Sequence, residues 1–440
     1  MKKVYFVLLS LVVVVGLIGV GCKPAAPPTP TPAPAKPTAT PAPAKPTPTP
    51  VPPTPTPAPV TITLWTKESG EILEEIEKLA EEFGKETGIT VEVTNYGVED
   101  LRENYQTACL AGAGPDFLWT VNDHAGPFVA MDLIQSVDEA GYDEAYLSKF
   151  VDAALAAVEL EGKTWGIPIS NGNHLMLLYN KDIIAEPPKD TDELIKVAKE
   201  LTKPPDMYGL VYNLNEPFWL VPWLGGFGGA VFLEDGVTPN CNTPEMVNTL
   251  KLLHDFKFVH KIVPEECDYD GADSLFKEGK AAMIINGDWS LAGYKEALGD
   301  KLGVARIPKI VGYDWPKPYT SGVYFMFNKA TTGAKLEACK KFVDYIITKE
   351  RQLDFVKKFA RLPALKEALD DPIITQDPIL KGSADQMVVG VPMPTVPEMR
   401  CVWDAIRPNQ EAVMADAATP EEAAKAIQEA AEKCIAEMKK

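Results

Sequence analysis

Between Pro24 and Pro59 nearly every second residue is proline, with Ala and Thr filling most of the gaps. No other stretch limits this chain so strictly. Proline fixes φ and removes a backbone donor, so the tract forms neither helix nor sheet ladder. It should run as polyproline II, rising about 3.1 Å per residue, and could reach on the order of 100 Å. The organisation it predicts is a globular body on a stiff leash; a generic Pro/Thr/Ala linker is the plainer alternative.

The residues before the leash indicate what it is tied to. Lys2 and Lys3 form a positive start, and Val4 to Val20 is an apolar run rich in Val and Leu. That run is shorter than the roughly 20 residues a spanning helix prefers, so a secretory signal is expected. Gly21-Cys22 looks like a bacterial lipobox, in which the leader is cut before a cysteine that carries lipid, although Gly19 stands where a Leu is usual. Lipidation at Cys22 is the expectation and an uncleaved membrane anchor the alternative, since one acyl chain holds only marginally and several anchor stably. Either way the body is expected outside the cytoplasm, held at the cell membrane.

Leader and leash removed, roughly 380 residues remain, more than one core usually supports, so two lobes are expected. The net charge of −19 argues against nucleic acid or an anionic membrane surface as partner. It suits solubility and a neutral or cationic small ligand. Six cysteines follow Cys22: Cys109, Cys241, Cys267, Cys339, Cys401 and Cys434. Outside the cytoplasm they can pair, and sequence does not choose among the pairings. Cys241 with Cys267 is doubtful, because a helix of about 17 residues between them would be about 25 Å long. There is no CxxC, and His124, His174, His254 and His260 form no HExxH, so neither a zinc site nor another cofactor is expected.

The body opens with a βαβ pattern. Val60 to Trp65 reads as a strand, Ile72, Leu73, Ile76, Leu79, Ala80 and Phe83 recur at helical spacing, and Ile89 to Thr94 reads as a second, parallel strand. A helix from Val98 to Ala111 leads to a third strand around Asp116 to Val121. Continued alternation predicts an α/β fold, each lobe a mostly parallel sheet flanked by helices. The last helix carries its own start signal: Thr419 as N-cap, Pro420 next, Glu422 closing a capping box. Gly225 to Gly229 is not a nucleotide loop, since it lacks the Lys-Ser/Thr that should follow, and no GxSxG elbow occurs.

A collinear set of motifs then resembles a known family. Gly114-Pro115-Asp116, Gly166-Ile167-Pro168, Leu178-Tyr179-Asn180-Lys181-Asp182 and Pro187-Pro188-Lys189 recur in this order in extracellular solute-binding proteins of ABC importers. So do Phe276 to Met283 with Asn286-Gly287-Asp288-Trp289, and Met393 to Met399 with Trp403. From about Thr61 onward the chain is most similar to the maltose- and maltodextrin-binding members, a comparison that Asn213 to Pro217 strengthens. The resemblance implies the two-lobed periplasmic-binding-protein (Venus-flytrap) fold, with ligand in the cleft. Residues 1–22 would be the signal and 23–59 the linker. Residues 60–168 and 309–349 would form the first lobe, and 169–308 and 350–440 the second.

By the same resemblance Trp289 and Trp403 match positions that stack sugar rings, and Phe218 matches a Tyr there. Sugar C–H faces pack on aromatic planes while hydroxyls need polar partners at the ring edge. Asp123 and Glu216 fall on carboxylate positions and Arg407 on a cleft arginine; charge-assisted bonds to hydroxyls are the stronger kind. Lys67 and Glu68 follow the first strand at the mouth of the expected cleft. Asn171 and Asn173 lie near the hinge, where the family carries a Glu. His124 replaces an Arg and Thr120 a stacking Trp, which leaves the particular sugar open. The implied protein is a monomer that captures a carbohydrate, a maltose- or maltodextrin-like oligosaccharide, and hands it to ABC permease subunits. A sugar sensor for a membrane receptor is one alternative. A glycoside hydrolase using two of Asp123, Glu216 and Asp288 is another.

Overall fold

The computed structural model describes residues 60–439; the leader, Cys22 and the proline tract lie outside the described residues. In β1 (Thr61–Thr66) Ile62, Leu64 and Thr66 are buried and their neighbours are more exposed, the period of a strand with one covered face. The helix Gly70–Thr87 buries Ile72, Ile76, Leu79, Ala80 and Phe83 at spacings of three and four, so one stripe covers the sheet. β2 (Thr90–Asn95) returns parallel to β1, with Thr61 opposite Thr90. The helix Val98–Leu110 then leads to β3 (Phe117–Val121), which lies parallel to β1 on its other side and is buried throughout.

After the short β4 (Ile134–Gln135) and the hairpin of β5 (Glu159–Leu160) and β6 (Lys163–Thr164), the chain reaches β7 (Ile167–Gly172) and β8 (Leu175–Asn180). β7 belongs to the first sheet and β8 to the second, so the chain changes sheets across Asn173 and His174 alone. Gly172 makes this passage with φ +140, and a Cβ there would lie 2.5 Å from Asp288 Oδ2. The second sheet adds β9 (Tyr208–Val211), β10 (Ala281–Gly287) and β11 (Leu302–Ala305) in the order β11-β8-β10-β9. β12 (Tyr319–Asn328) brings the chain back into the first sheet, where it pairs with β3, β4, β7 and β13 (Val391–Pro392).

The α/β architecture is as expected, but neither sheet is mostly parallel. β12 runs antiparallel to β3, β4 and β7, and β8 runs antiparallel to both β10 and β11. The cause is the crossing itself: β7 leaves the first sheet while β12 enters it, so the two neighbours point opposite ways.

Each sheet has its own core. Ile62, Leu64, Phe83, Phe117, Phe325 and Phe342 pack in the first, and Leu177, Trp223, Phe256, Phe276, Ile284 and Ile406 in the second. A smaller cluster of Leu101, Tyr105, Leu118, Phe128 and Tyr324 lies against the first sheet. Phe359, Ala364, Leu365 and Ala368 join the first core, while Ala360 and Leu362 join the second. The chain closes with the helices Glu398–Met414 and Pro420–Met438, linked by a Cys401–Cys434 disulfide with its Cα atoms 5.5 Å apart. The capping box at Thr419 and Glu422 forms. Cys109, Cys241, Cys267 and Cys339 are free. Burial pushes the Cys241 and Cys267 thiols up to about 12, which leaves both protonated. Among the described residues no helix is long and apolar enough to cross a membrane.

Candidate functional site

Open α/β sheets gather ligand sites beyond the carboxyl ends of their strands. Here β1, β2, β3, β9 and β10 are each followed directly by residues of one cavity. Its volume is about 600 Å³, within the range of small-molecule sites. Lys67 and Glu68 follow β1, Tyr96 and Glu99 follow β2, Asp123 follows β3, Asn213, Glu216 and Phe218 follow β9, and Trp289 follows β10. The helix Glu398–Met414 adds Trp403 and Arg407.

One wall is aromatic. The ring of Phe218 lies 6.1 Å from Trp289 and 6.5 Å from Trp403, with tilted planes. Trp289 Nε1 donates to Tyr269 Oη at 3.0 Å, which orients the indole. Its ring lies over Gly287, where a Cβ would come within 2.2 Å of the six-membered ring. The Asn-Gly-Asp-Trp string therefore needs glycine for space, since its φ of −94 suits any residue. Trp219 also reaches the cavity, and its Nε1 donates to Ile285 O at 2.7 Å. Trp65 packs on Tyr96 at 4.8 Å instead of lining the cavity.

The polar groups are paired in advance. Arg407 donates to both oxygens of Glu216, at 2.6 and 3.2 Å. Arg361 grips Glu68 in the same two-point way, at 2.9 and 3.1 Å, and Lys67 Nζ lies 3.1 Å from Glu68. Burial by itself would raise the Glu68 carboxyl, yet Arg361 and Lys67 outweigh it and hold it at about 2. Burial draws the Lys67 ammonium down, and Glu68 offsets this only in part. Asp123 goes the other way: burial, reinforced by the Glu99 charge, lifts its carboxyl to about 7.

Nine residues expected at the site therefore come together: Lys67, Glu68, Asp123, Asn173, Glu216, Phe218, Trp289, Trp403 and Arg407. Two do not. His124 is buried beneath the cavity wall, its Nδ1 2.8 Å from Thr120 Oγ1. Burial lowers its ring to about 3, so it is neutral, and the two departures at positions 120 and 124 bond to one another. Asn171 is buried in β7, where its backbone N–H donates to Leu362 O. Sequence reasoning missed Arg361, Tyr269, Asn213 and Glu99 as wall residues. Asn213 and Met393 lay inside motifs of the resemblance, but Arg361, in Phe359-Ala360-Arg361-Leu362-Pro363, carries no local signal. Among the described residues no group of three or more His, Cys, Asp and Glu side chains could hold a metal ion.

Two sheets with separate cores, joined by crossing strands around a lined cavity, define the two-lobed solute-binding class. Comparison with known proteins agrees. The family described as bacterial extracellular solute-binding protein matches residues 78–382. The chain is 30% identical over 364 residues to the maltotriose-binding protein of Pyrococcus abyssi, covering 81% of this chain and 78% of that protein. It is 26% identical over 342 residues to a maltooligosaccharide ABC transporter solute-binding lipoprotein of Streptococcus pneumoniae, covering 75% of this chain and 78% of the relative. The structure of the maltose/maltodextrin-binding domain MalE from Bdellovibrio bacteriovorus bound to maltotriose is similar with a TM-score of 0.82 and 39% identity. That likeness covers 86% of this chain and all of the other, 100%. The chain belongs to the bacterial extracellular solute-binding protein family.

Proposed function

We propose that this protein captures a maltodextrin-like oligosaccharide in the cleft and delivers it to the membrane subunits of an ABC importer. One observation carries the reading: Phe218, Trp289 and Trp403 share a wall with the Glu216–Arg407 pair. Aromatic planes suit the apolar faces of sugar rings, and a neutralised ion pair offers directed donors and acceptors without calling for a charged guest. Lys67, Glu68 and Asp123 would serve further hydroxyls. Asn173, at the passage between the sheets, would sense closure. The ligands named for the Pyrococcus and Streptococcus relatives support the ligand class, and the ABC transporter named for the latter supports the partner. The lipoprotein among them supports an anchor at Cys22.

In this reading the lobes are 60–168 with 309–349, and 169–308 with 350–440, except that β7 stays in the first sheet to Gly172, Ile310 and Tyr319 pack in the second core, and Phe359 to Ala368 is shared between the cores. Ligand touching both lobes favours the closed state, as in other hinge-bending binding proteins. The protein acts as a monomer and leaves its guest chemically unchanged.

A thermal-shift panel of glucose, maltose, maltotriose, longer maltodextrins and unrelated oligosaccharides tests the assignment. A ligand that binds only the native state at about 100 times its Kd stabilises by about 2.7 kcal/mol. Maltotriose should raise Tm, and Trp289→Ala and Trp403→Ala should each abolish most of the shift while the ligand-free protein stays folded. Product appearing in a maltotriose incubation, or no shift with any sugar, would overturn it. Partition of the Cys22→Ser variant into the aqueous phase of a detergent extraction tests the anchor.

A further inference from the structure

Glu99 and Arg400 come from elements packed on different cores. Glu99 lies in the first turn of the helix Val98–Leu110, whose Leu101 and Tyr105 pack against the first sheet beside Leu118 and Tyr324. Arg400 lies in the first turn of the helix Glu398–Met414, whose Val402, Ala405 and Ile406 pack in the second core. Arg400 Nη1 donates to Glu99 Oε2. Its Nε and Nη2 hold the Asp404 carboxylate one turn along the same helix. Arg102 donates to the same Glu99 oxygen from the other side, through Nε at 3.3 Å and Nη2 at 3.2 Å, and to Glu103 at 3.0 Å. Charges of alternating sign thus run Asp404, Arg400, Glu99, Arg102, Glu103 from one core to the other.

We propose that Glu99 and Arg400 form an electrostatic latch that holds the two lobes together, so that ligand affinity contains a term from charges the ligand never touches. An exposed ion pair is usually weak because two long side chains must be ordered to make it. Here each partner is already held in its own lobe, Arg400 by Asp404 and Glu99 by Arg102, so less freedom is lost when the lobes meet. Glu99 lines the cavity and Arg400 does not, which makes Arg400 a positioning residue acting through Glu99. A neutral guest has no direct salt term in its binding. A latch formed on closure introduces one, because salt screens partly exposed charges.

The latch rests on the proposed lobe closure, and maltotriose enters only as a probe. In the full-length protein, a distance probe pair at Glu81 and Lys251, solvent-facing residues on helices of the two cores, reports lobe separation without ligand. Arg400→Gln and Glu99→Gln should each shift the ligand-free distribution toward larger separation. Each should weaken maltotriose binding about two- to fivefold, the scale of partly exposed pairs. The double variant should cost no more than one single change, since the two effects share a contact. Raising salt should weaken the wild type and leave Arg400→Gln unaltered, while Arg400→Lys should recover part of the loss. An unchanged separation in Arg400→Gln, or strictly additive losses, would overturn the latch. If the wild type ignored maltotriose, the sugar assignment would fall, and the ligand-free separations would still decide the latch.

Discussion

At Glu68 three charges, its own and those of Arg361 and Lys67, lie almost wholly buried in the cavity wall. Removing one partner of a buried ionic set leaves the others uncompensated, which costs about 3–5 kcal/mol. Glu68→Gln should therefore destabilise the protein by about that amount at neutral pH, read by denaturant unfolding. The carboxyl's ordinary value is 4.5 and its folded value is about 2. A depressed carboxylate contributes stability that is complete above its unfolded pKa and lost as pH falls through the folded one. The gap between wild type and Glu68→Gln should thus narrow as pH falls from 4.5 toward 2; a gap independent of pH would show that the pairing is not the source. Gly287 makes the second argument at this scale. A methyl group there meets the Trp289 indole, so Gly287→Ala should displace the ring and weaken maltotriose binding by on the order of tenfold, about 1.4 kcal/mol. Unaltered affinity would remove Trp289 from the proposed site.

Among the elements, the helix Glu398–Met414 supplies three of the residues in the proposals above, Arg400, Trp403 and Arg407. The Cys401–Cys434 disulfide ties it to the terminal helix across 33 residues of sequence. Closing a loop of that size in the unfolded chain stabilises by about 3–4 kcal/mol in the loop-entropy treatment. Cys401→Ser should lower unfolding stability by about that much, with a smaller effect on sugar affinity, because Val402, Ala405 and Ile406 still seat the helix in the second core. Equal stability of the oxidised protein and the variant would argue against the cross-link as a source of stability. The terminal helix was legible from its capping box alone, because Thr419, Pro420 and Glu422 act within one turn. The pairing of Cys401 with Cys434 was not legible, because it depends on how two helices lie against one another.

For the whole molecule, rigid cores on thin connections predict where motion concentrates. Hydrogen exchange with and without maltotriose should change most in Asn171 to His174, in the stretch before β12, and in Ala360 to Pro363. β3, β8 and β10 should keep their protection in both states. Broad protection changes inside either core would mean that binding reorganises the lobes, not only the angle between them. The mixed direction of the sheets belongs to the same scale. Local pattern announces that a strand exists, but direction within a sheet follows from which lobe the chain has just left, as β7 and β12 show.

By itself the sequence determined what short-range physics controls: the βαβ opening, the helix stripes, the capped last helix, and the aromatic and acidic residues placed in order along recognisable strings. Seven of the nine expected side chains meet at one cavity because their strings follow strand ends that the fold points the same way, and Trp403 and Arg407 join them from a helix. Only the tertiary structure decided that His124 and Asn171 face inward, that Arg361 arrives to clasp Glu68, and that Arg400 finds Glu99 some three hundred positions away, 301 along the chain. Those contacts depend on burial and on the meeting of distant segments, and neither quantity is written in the residues on either side.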